Sequence, residues 1–105
     1  MKTIANTQQY DSVLAQSNPI LLDFYADWCG PCQTLMPTVE KLSNEFEGKV
    51  EIQKVNIDQN PELAKKFGVR SIPSLFFIKD QEIVEKVNGL VTESVLRSKL
   101  DTLLN

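Results

Sequence analysis

PILLDFYADWCGPC, residues 19–32, is the stretch of this 105-residue chain that decides its fold. It opens with an apolar run that has apolar residues on both faces, which predicts a central β-strand over residues 20–26 covered on both sides. After Cys32, apolar residues recur with helical spacing, at Leu35, Met36, Val39, Leu42 and Phe46. That spacing predicts a helix running to about residue 46. Both cysteines of the chain therefore lie at the junction of a strand and a helix.

This position has chemical consequences for Cys29 and Cys32. The two residues are three positions apart, so within a helix they share a face and their sulfurs can form one disulfide. A thiol at a helix N-terminus meets unpaired N–H groups and the positive end of the helix dipole, which both favour the thiolate. We expect Cys29 to be the more exposed and more acidic sulfur, with Cys32 shielded by the helix. An acidic attacking thiol beside a resolving thiol is the arrangement needed for thiol–disulfide exchange.

Other uses of a Cys-x-x-Cys pair fit the sequence less well. A zinc site normally has four ligands, and the chain has no histidine and no third cysteine. Haem attachment needs a histidine directly after the second cysteine, where Gln33 stands. A structural disulfide closing so short a loop would remove little chain entropy. Metal binding and a structural disulfide stay open as minor alternatives.

Asp23 is the only charged residue in the predicted central strand. A buried carboxylate is costly, and burial shifts it toward the neutral form. One interpretation places Asp23 at the strand end, pointing to water. The other places it beneath Cys32 with a raised pKa, where it passes protons to and from that sulfur.

Trp28-Cys-Gly-Pro-Cys32 after an apolar strand resembles the active site of the thioredoxin family. The resemblance covers nearly the whole chain. Asp23 matches the family's buried acid, Ile72-Pro73 matches its cis-proline, and Gly89 matches a glycine near the active site. The fold that this implies is α/β, a three-layer α/β/α thioredoxin fold with a central mixed five-stranded sheet, in which residues 1–105 form a single domain.

The resemblance also implies roles for individual residues. Cys29 attacks a client disulfide, Cys32 resolves the mixed disulfide with help from Asp23, and Lys54 tunes Asp23, although a solvated lysine is the alternative. The peptide bond before Pro73 is expected to be cis; the alternative is an ordinary trans proline at the start of a strand. Trp28 is expected to be exposed; the alternative places its side chain in the core. The implied substrate-binding surface consists of Trp28, Gly30, Pro31, Ile72, Pro73 and Gly89.

The implied activity is the reduction of disulfides in client proteins by a protein-disulfide reductase. Its partners are those clients and an NADPH-dependent flavoprotein, thioredoxin reductase, while the chain itself shows no cofactor-binding motif. A net charge of −3 argues weakly against nucleic acid or an anionic membrane as a partner. Without a secretory signal or a membrane-spanning run, we expect a cytoplasmic monomer. Two alternative functions stay open: an oxidase or isomerase of the same fold, and a redox-independent binding module.

The predicted element order is β-α-β-α-β-α-β-β-α, with one helix that continues past Pro37. Five positions depart from the family's usual residues, and one of them is Tyr25, where tryptophan is common. Asp80-Gln81 replaces the frequent Asn-Gly, which predicts a different turn geometry between the last two strands. Ser71 and Asn88 would lie on the rim of the substrate-binding surface, where they affect substrate preference.

Overall fold

The computed structural model describes residues 1–105 and has the predicted order of elements. The strands are β1 (Lys2–Ile4), β2 (Ile20–Tyr25), β3 (Glu51–Asn56), β4 (Ser74–Lys79) and β5 (Glu82–Asn88). The helices are α1 (Thr7–Ala15), α2 (Gly30–Glu45), α3 (Pro61–Lys66) and α4 (Glu93–Leu104). The central strand therefore ends one residue earlier than predicted, and the helix continues past Pro37 as predicted.

The five strands form one mixed sheet in the order β1-β3-β2-β4-β5. β3 pairs in parallel with β1 and β2, whereas β4 runs antiparallel to β2 and β5 antiparallel to β4. β2 lies at the centre, and all six of its residues are buried. This confirms the prediction that the apolar run is a central strand with both faces covered.

Two hydrophobic clusters lie on opposite faces of this sheet. On one face, Leu21 packs with the buried stripes of α2 and α4, which include Leu42 and Leu100. On the other face, Phe24 packs with Tyr10 of α1 and Leu63 of α3. The predicted three layers, helices on both sides of a mixed five-stranded sheet, are confirmed. None of the helices is both long enough and apolar enough to cross a membrane.

The turn between β4 and β5 differs from the prediction. Asp80 and Gln81 both have positive φ, 53° and 67°, which is the type I′ geometry that Asn-Gly favours. The prediction of a different turn geometry is therefore wrong. The right-handed twist of the two strands selects a type I′ turn for a two-residue connection, and these residues adopt it although neither is glycine.

β5 forms one edge of the sheet and is not regular. Its register with β4 shifts between Phe77 and Ile78, which pair with Glu85 and Ile83 and leave Val84 without an opposite residue. This is a β-bulge, and it bends the edge strand locally. Ile83 and Val84 stand about half exposed beside it.

Candidate active site

Cys29 and Cys32 form a disulfide at the start of α2, with their Cα atoms 5.3 Å apart. Cys29 occupies the N-cap position, and its Sγ accepts a hydrogen bond from the Cys32 backbone N–H at 3.2 Å. Pro31 fits the first turn, where a missing N–H removes no helical hydrogen bond. The strand–helix junction thus directs a free backbone amide at the first sulfur.

Cys29 is more exposed than Cys32, as predicted, but the difference between the two residues is small. Cys29 is 5% exposed and Cys32 is 1% exposed, so both residues are buried. Cys29 is covered because Ile72 packs against the cysteine cluster and its carbonyl oxygen lies 3.8 Å from Cys29 Sγ. The Ile72 backbone therefore lies directly against the first sulfur.

Asp23 lies inside β2 and is 1% exposed, so the interpretation in which it points to water is wrong. Its Oδ1 atom is buried without a hydrogen-bond partner. Burial raises the pKa of Asp23 from 3.8 to about 7, and the positive charge of Lys54 opposes that rise. A carboxyl group with this pKa exchanges protons near neutral pH.

Lys54 lies opposite Asp23 in the register between β2 and β3. Its ammonium group stands 5.7 Å from the centre of the Tyr25 ring, within the range of a cation–π contact. Lys54 is half-buried, and this limits its access to water. The structure therefore places Lys54 beside Asp23, as the resemblance implied.

The Ile72–Pro73 peptide bond is cis, as predicted. Gly89 follows β5 with φ at +82°, a conformation that L residues rarely adopt, and its N–H donates to the Pro73 carbonyl at 2.8 Å. Glycine is needed here for its backbone conformation. The hydrogen bond brings Gly89 to the segment that packs against the cysteines.

Trp28 is 70% exposed, so the alternative that places it in the core is wrong. Its ring N–H donates to Asp58 Oδ2 at 2.8 Å. Sequence reasoning missed Asp58, although one signal was present. Asp58 follows β3, and because β3 and β2 are parallel their carboxyl ends meet at the same edge of the sheet, next to Trp28.

The structure brings the remaining predicted binding residues to the same end of the molecule. Gly30 and Pro31 are exposed at the start of α2, next to Cys29. Leu90, which sequence reasoning also missed, follows Gly89 and is 58% exposed. We call the following set the docking surface: Trp28, Gly30, Pro31, Ile72, Pro73, Gly89 and Leu90.

Comparisons with known proteins agree with this geometry. The sequence model of the thioredoxin family matches residues 1–102. The thioredoxin of Synechocystis sp. is 43% identical over 94 residues, which cover 90% of this chain and 88% of that protein. The thioredoxin of Chlorobaculum thiosulfatiphilum is 39% identical over 85% of this chain and 82% of its own length. A mutant thioredoxin from Halobacterium salinarum superposes with a TM-score of 0.91 at 36% identity, covering 99% of this chain and 90% of that one.

Proposed function

Because this chain belongs to the thioredoxin family and is a thiol–disulfide oxidoreductase, we propose that it works as a reductase of disulfides in client proteins. Exchange with disulfide clients and with reductase partners in general follows from the family. The observation that carries the exchange mechanism and the order of attack is the Cys32 amide directed at Cys29 Sγ from the start of α2. That amide and the helix dipole stabilise a negative charge on Cys29 in the reduced protein. We further propose that residues 1–105 work as one domain.

In the first step the Cys29 thiolate attacks one sulfur of a client disulfide. The client S–S bond breaks, its other sulfur leaves as a thiolate and takes up a proton, and a mixed disulfide joins Cys29 to the client. The client chain lies along Ile72, whose backbone beside the cis-proline can pair with it as an added strand. Trp28 and the other residues of the docking surface supply the apolar contacts.

In the second step Cys32 resolves the mixed disulfide. Asp23 takes the Cys32 proton, and the resulting thiolate attacks Cys29 Sγ, which releases the client's second sulfur as a thiol after protonation. Two electrons have then passed from the chain to the client, and Cys29 and Cys32 are left as a disulfide. A pKa of about 7 suits Asp23 for this role, since it takes and returns a proton at neutral pH.

The disulfide must then be reduced from outside the chain. We propose that an NADPH-dependent flavoprotein, thioredoxin reductase, supplies the two electrons and that the exchange takes place in the cytoplasm. Gly30-Pro31 between the cysteines, which resembles reducing members of the family, favours this direction over the oxidase or isomerase. A measured reduction potential at the oxidising end of the family's range would instead favour an oxidase or isomerase.

Insulin reduction with the Cys29→Ser variant tests the exchange mechanism. Turnover should fall to the uncatalysed background, because serine cannot form the mixed disulfide. The matched control is Cys32→Ser, which should trap a covalent complex through Cys29 that is visible on a non-reducing gel. Turnover that survives in Cys29→Ser would favour the redox-independent binding module.

The Asp23→Asn variant tests the proton transfer. At pH 7 the release of the second client thiol should slow on the order of 10²-fold, while formation of the mixed disulfide should change far less. Stopped-flow fluorescence of Trp28 with a labelled disulfide peptide separates the two steps. Equal slowing of both steps would contradict the role of Asp23.

A further inference from the structure

A polar contact links the edge strand β5 to the segment that holds the cis-proline. Ser74, the first residue of β4, is completely buried. Its Oγ atom lies 2.6 Å from the Ser71 carbonyl oxygen and 2.9 Å from Oδ1 of Asn88, the last residue of β5. Asn88 itself is exposed, next to Gly89 on the docking surface. Ser71 and Asn88 are two of the positions where this chain departs from the family's usual residues.

The number of protons in this contact determines the orientation of the Asn88 amide. The Ser74 hydroxyl has one hydrogen, so it cannot donate to both oxygens at once. If it donated to Asn88, its Oγ would face the Ser71 carbonyl at 2.6 Å with no hydrogen between two acceptors. The stable arrangement gives the proton to Ser71. A half-turn of the Asn88 amide then lets Nδ2 donate to Ser74 Oγ.

In this arrangement the amide oxygen of Asn88 faces away from Ser74 and toward solvent. It lies beside the Ser71–Pro73 segment, along which the client is proposed to bind. Leu90, two residues further along the chain, is an apolar side chain that is 58% exposed. The Asn88 oxygen is therefore a fixed hydrogen-bond acceptor at an apolar margin.

We propose that Asn88 is a specificity-determining residue, whose amide oxygen accepts a hydrogen bond from a donor side chain of the client, and that Ser74 is the positioning residue that holds this amide. The inference rests on the proposed function, because it requires clients to bind along Ile72. It predicts a preference for clients with a neutral or cationic donor, such as glutamine, asparagine or lysine, close to the target cysteine. A client with an apolar side chain there leaves the Asn88 oxygen without a partner once water is excluded.

The test uses disulfide peptides in which glutamine replaces leucine at each position within three residues of the target cysteine. Glutamine adds a donor without changing the charge of the peptide. At one of these positions the wild-type protein should show kcat/KM about threefold to tenfold higher for glutamine than for leucine, as expected for one hydrogen bond. Asn88→Val should lose that ratio, because valine offers no acceptor.

Three further variants separate the hydrogen bond between Ser74 and Asn88 from general damage to the surface. Ser74→Ala should reduce the glutamine-to-leucine ratio although Asn88 is still present, and Ser74→Thr, which keeps the hydroxyl, should restore it. Asn44→Val, an exposed asparagine on α2 remote from β5, should keep the wild-type ratio.

The possible outcomes distinguish this inference from the proposed function. If the wild type reduces all peptides but shows the same ratio as Asn88→Val at every position, the inference is overturned and the reductase stands. An unchanged ratio in Ser74→Ala would overturn the role of Ser74. If the wild type reduces none of the peptides and Cys32→Ser traps none of them, the proposed function fails and the inference fails with it.

Discussion

Asp23 in the central strand and Glu93 at the start of α4 are both carboxyl groups near positive charges, yet their pKa values move in opposite directions. Asp23 is buried with one oxygen unpartnered, and burial raises its pKa to about 7. Glu93 lies at the surface, where hydrogen bonds from Lys41 and Arg97 lower its pKa. Burial without a partner yields a group that can accept a proton at neutral pH. Pairing at the surface yields a group that stays ionised.

The two regions also differ in their contribution to stability. Arg97 links Glu45 of α2 to Glu93 of α4, so the surface cluster ties two helices together at little desolvation cost. The raised pKa of Asp23 makes its ionised form costly in the folded state. The active-site region is thus less stable at neutral pH than its packing alone would allow, and the surface cluster has no comparable penalty.

The largest expected effect is that of Asp23→Asn on stability. A carboxyl pKa raised from 3.8 to about 7 means that the folded state keeps a proton that the unfolded state releases. The free energy of unfolding should therefore fall as pH rises through that window, by roughly 4 kcal/mol in total. Asn cannot ionise, so the variant should lose this fall and be the more stable protein above pH 7.

Chemical denaturation of the oxidised protein from pH 3 to pH 9 measures this effect. The wild-type curve minus the Asp23→Asn curve isolates the contribution of residue 23. Glu93→Gln is the matched control, since it removes a carboxyl group whose pKa is lowered and keeps Asp23. This variant should still lose stability between pH 4 and pH 7, as the wild type does. If the free energy of unfolding changed with pH in the same way in the wild type and in Asp23→Asn, the proposed difference between Asp23 and the surface cluster would be contradicted.

A smaller effect is expected for Lys54→Gln. The positive charge of Lys54 lowers the pKa of Asp23, so its removal should raise that pKa above about 7. Carbon-13 NMR of the Asp23 carboxyl group against pH reads the change directly. Lys79→Gln, which removes a lysine at the far end of β4, should leave the titration in place. A lower pKa in Lys54→Gln would show that Lys54 acts on Asp23 by something other than its charge.

The smallest effect is expected for Arg97→Ala. The melting temperature should fall slightly at low salt, because exposed ion pairs contribute little and salt screens them. In 1 M sodium chloride the difference from wild type should largely disappear. Arg70→Ala, at an exposed arginine outside the ion pairs, is the control and should show no salt-dependent difference. A drop comparable to the Asp23 effect would mean that the surface cluster is a main source of stability.

The sequence predicts best what depends on neighbouring residues. The strand–helix junction, the position of Cys29 at the start of α2 and the continuation of α2 past Pro37 follow from local apolar spacing and turn chemistry. The place of Asp23 in an apolar strand suggests that it is buried. Only the structure excludes the alternative in which its side chain points to water. The cis bond before Pro73 was predicted from resemblance, since local chemistry favours trans.

Contacts between distant segments could not be predicted in the same way. The hydrogen bond from Trp28 to Asp58 depends on the parallel pairing of β2 and β3. The hydrogen bond between Ser74 and Asn88 depends on the register of β4 and β5. The turn at Asp80-Gln81 was wrongly predicted for a related reason. Residue identity suggested one geometry, but the twist of the two paired strands imposed another.

The bulge at Val84 has a consequence for self-association. An edge strand exposes unpaired backbone groups that can template another chain, and β5 has apolar side chains at its surface. The bulge bends this edge, and charged side chains at Glu82, Glu85 and Lys86 surround it, so a second copy finds no flat row of amides to join. The protein can thus keep Ile83 and Val84 at its surface without seeding cross-β stacking at high concentration.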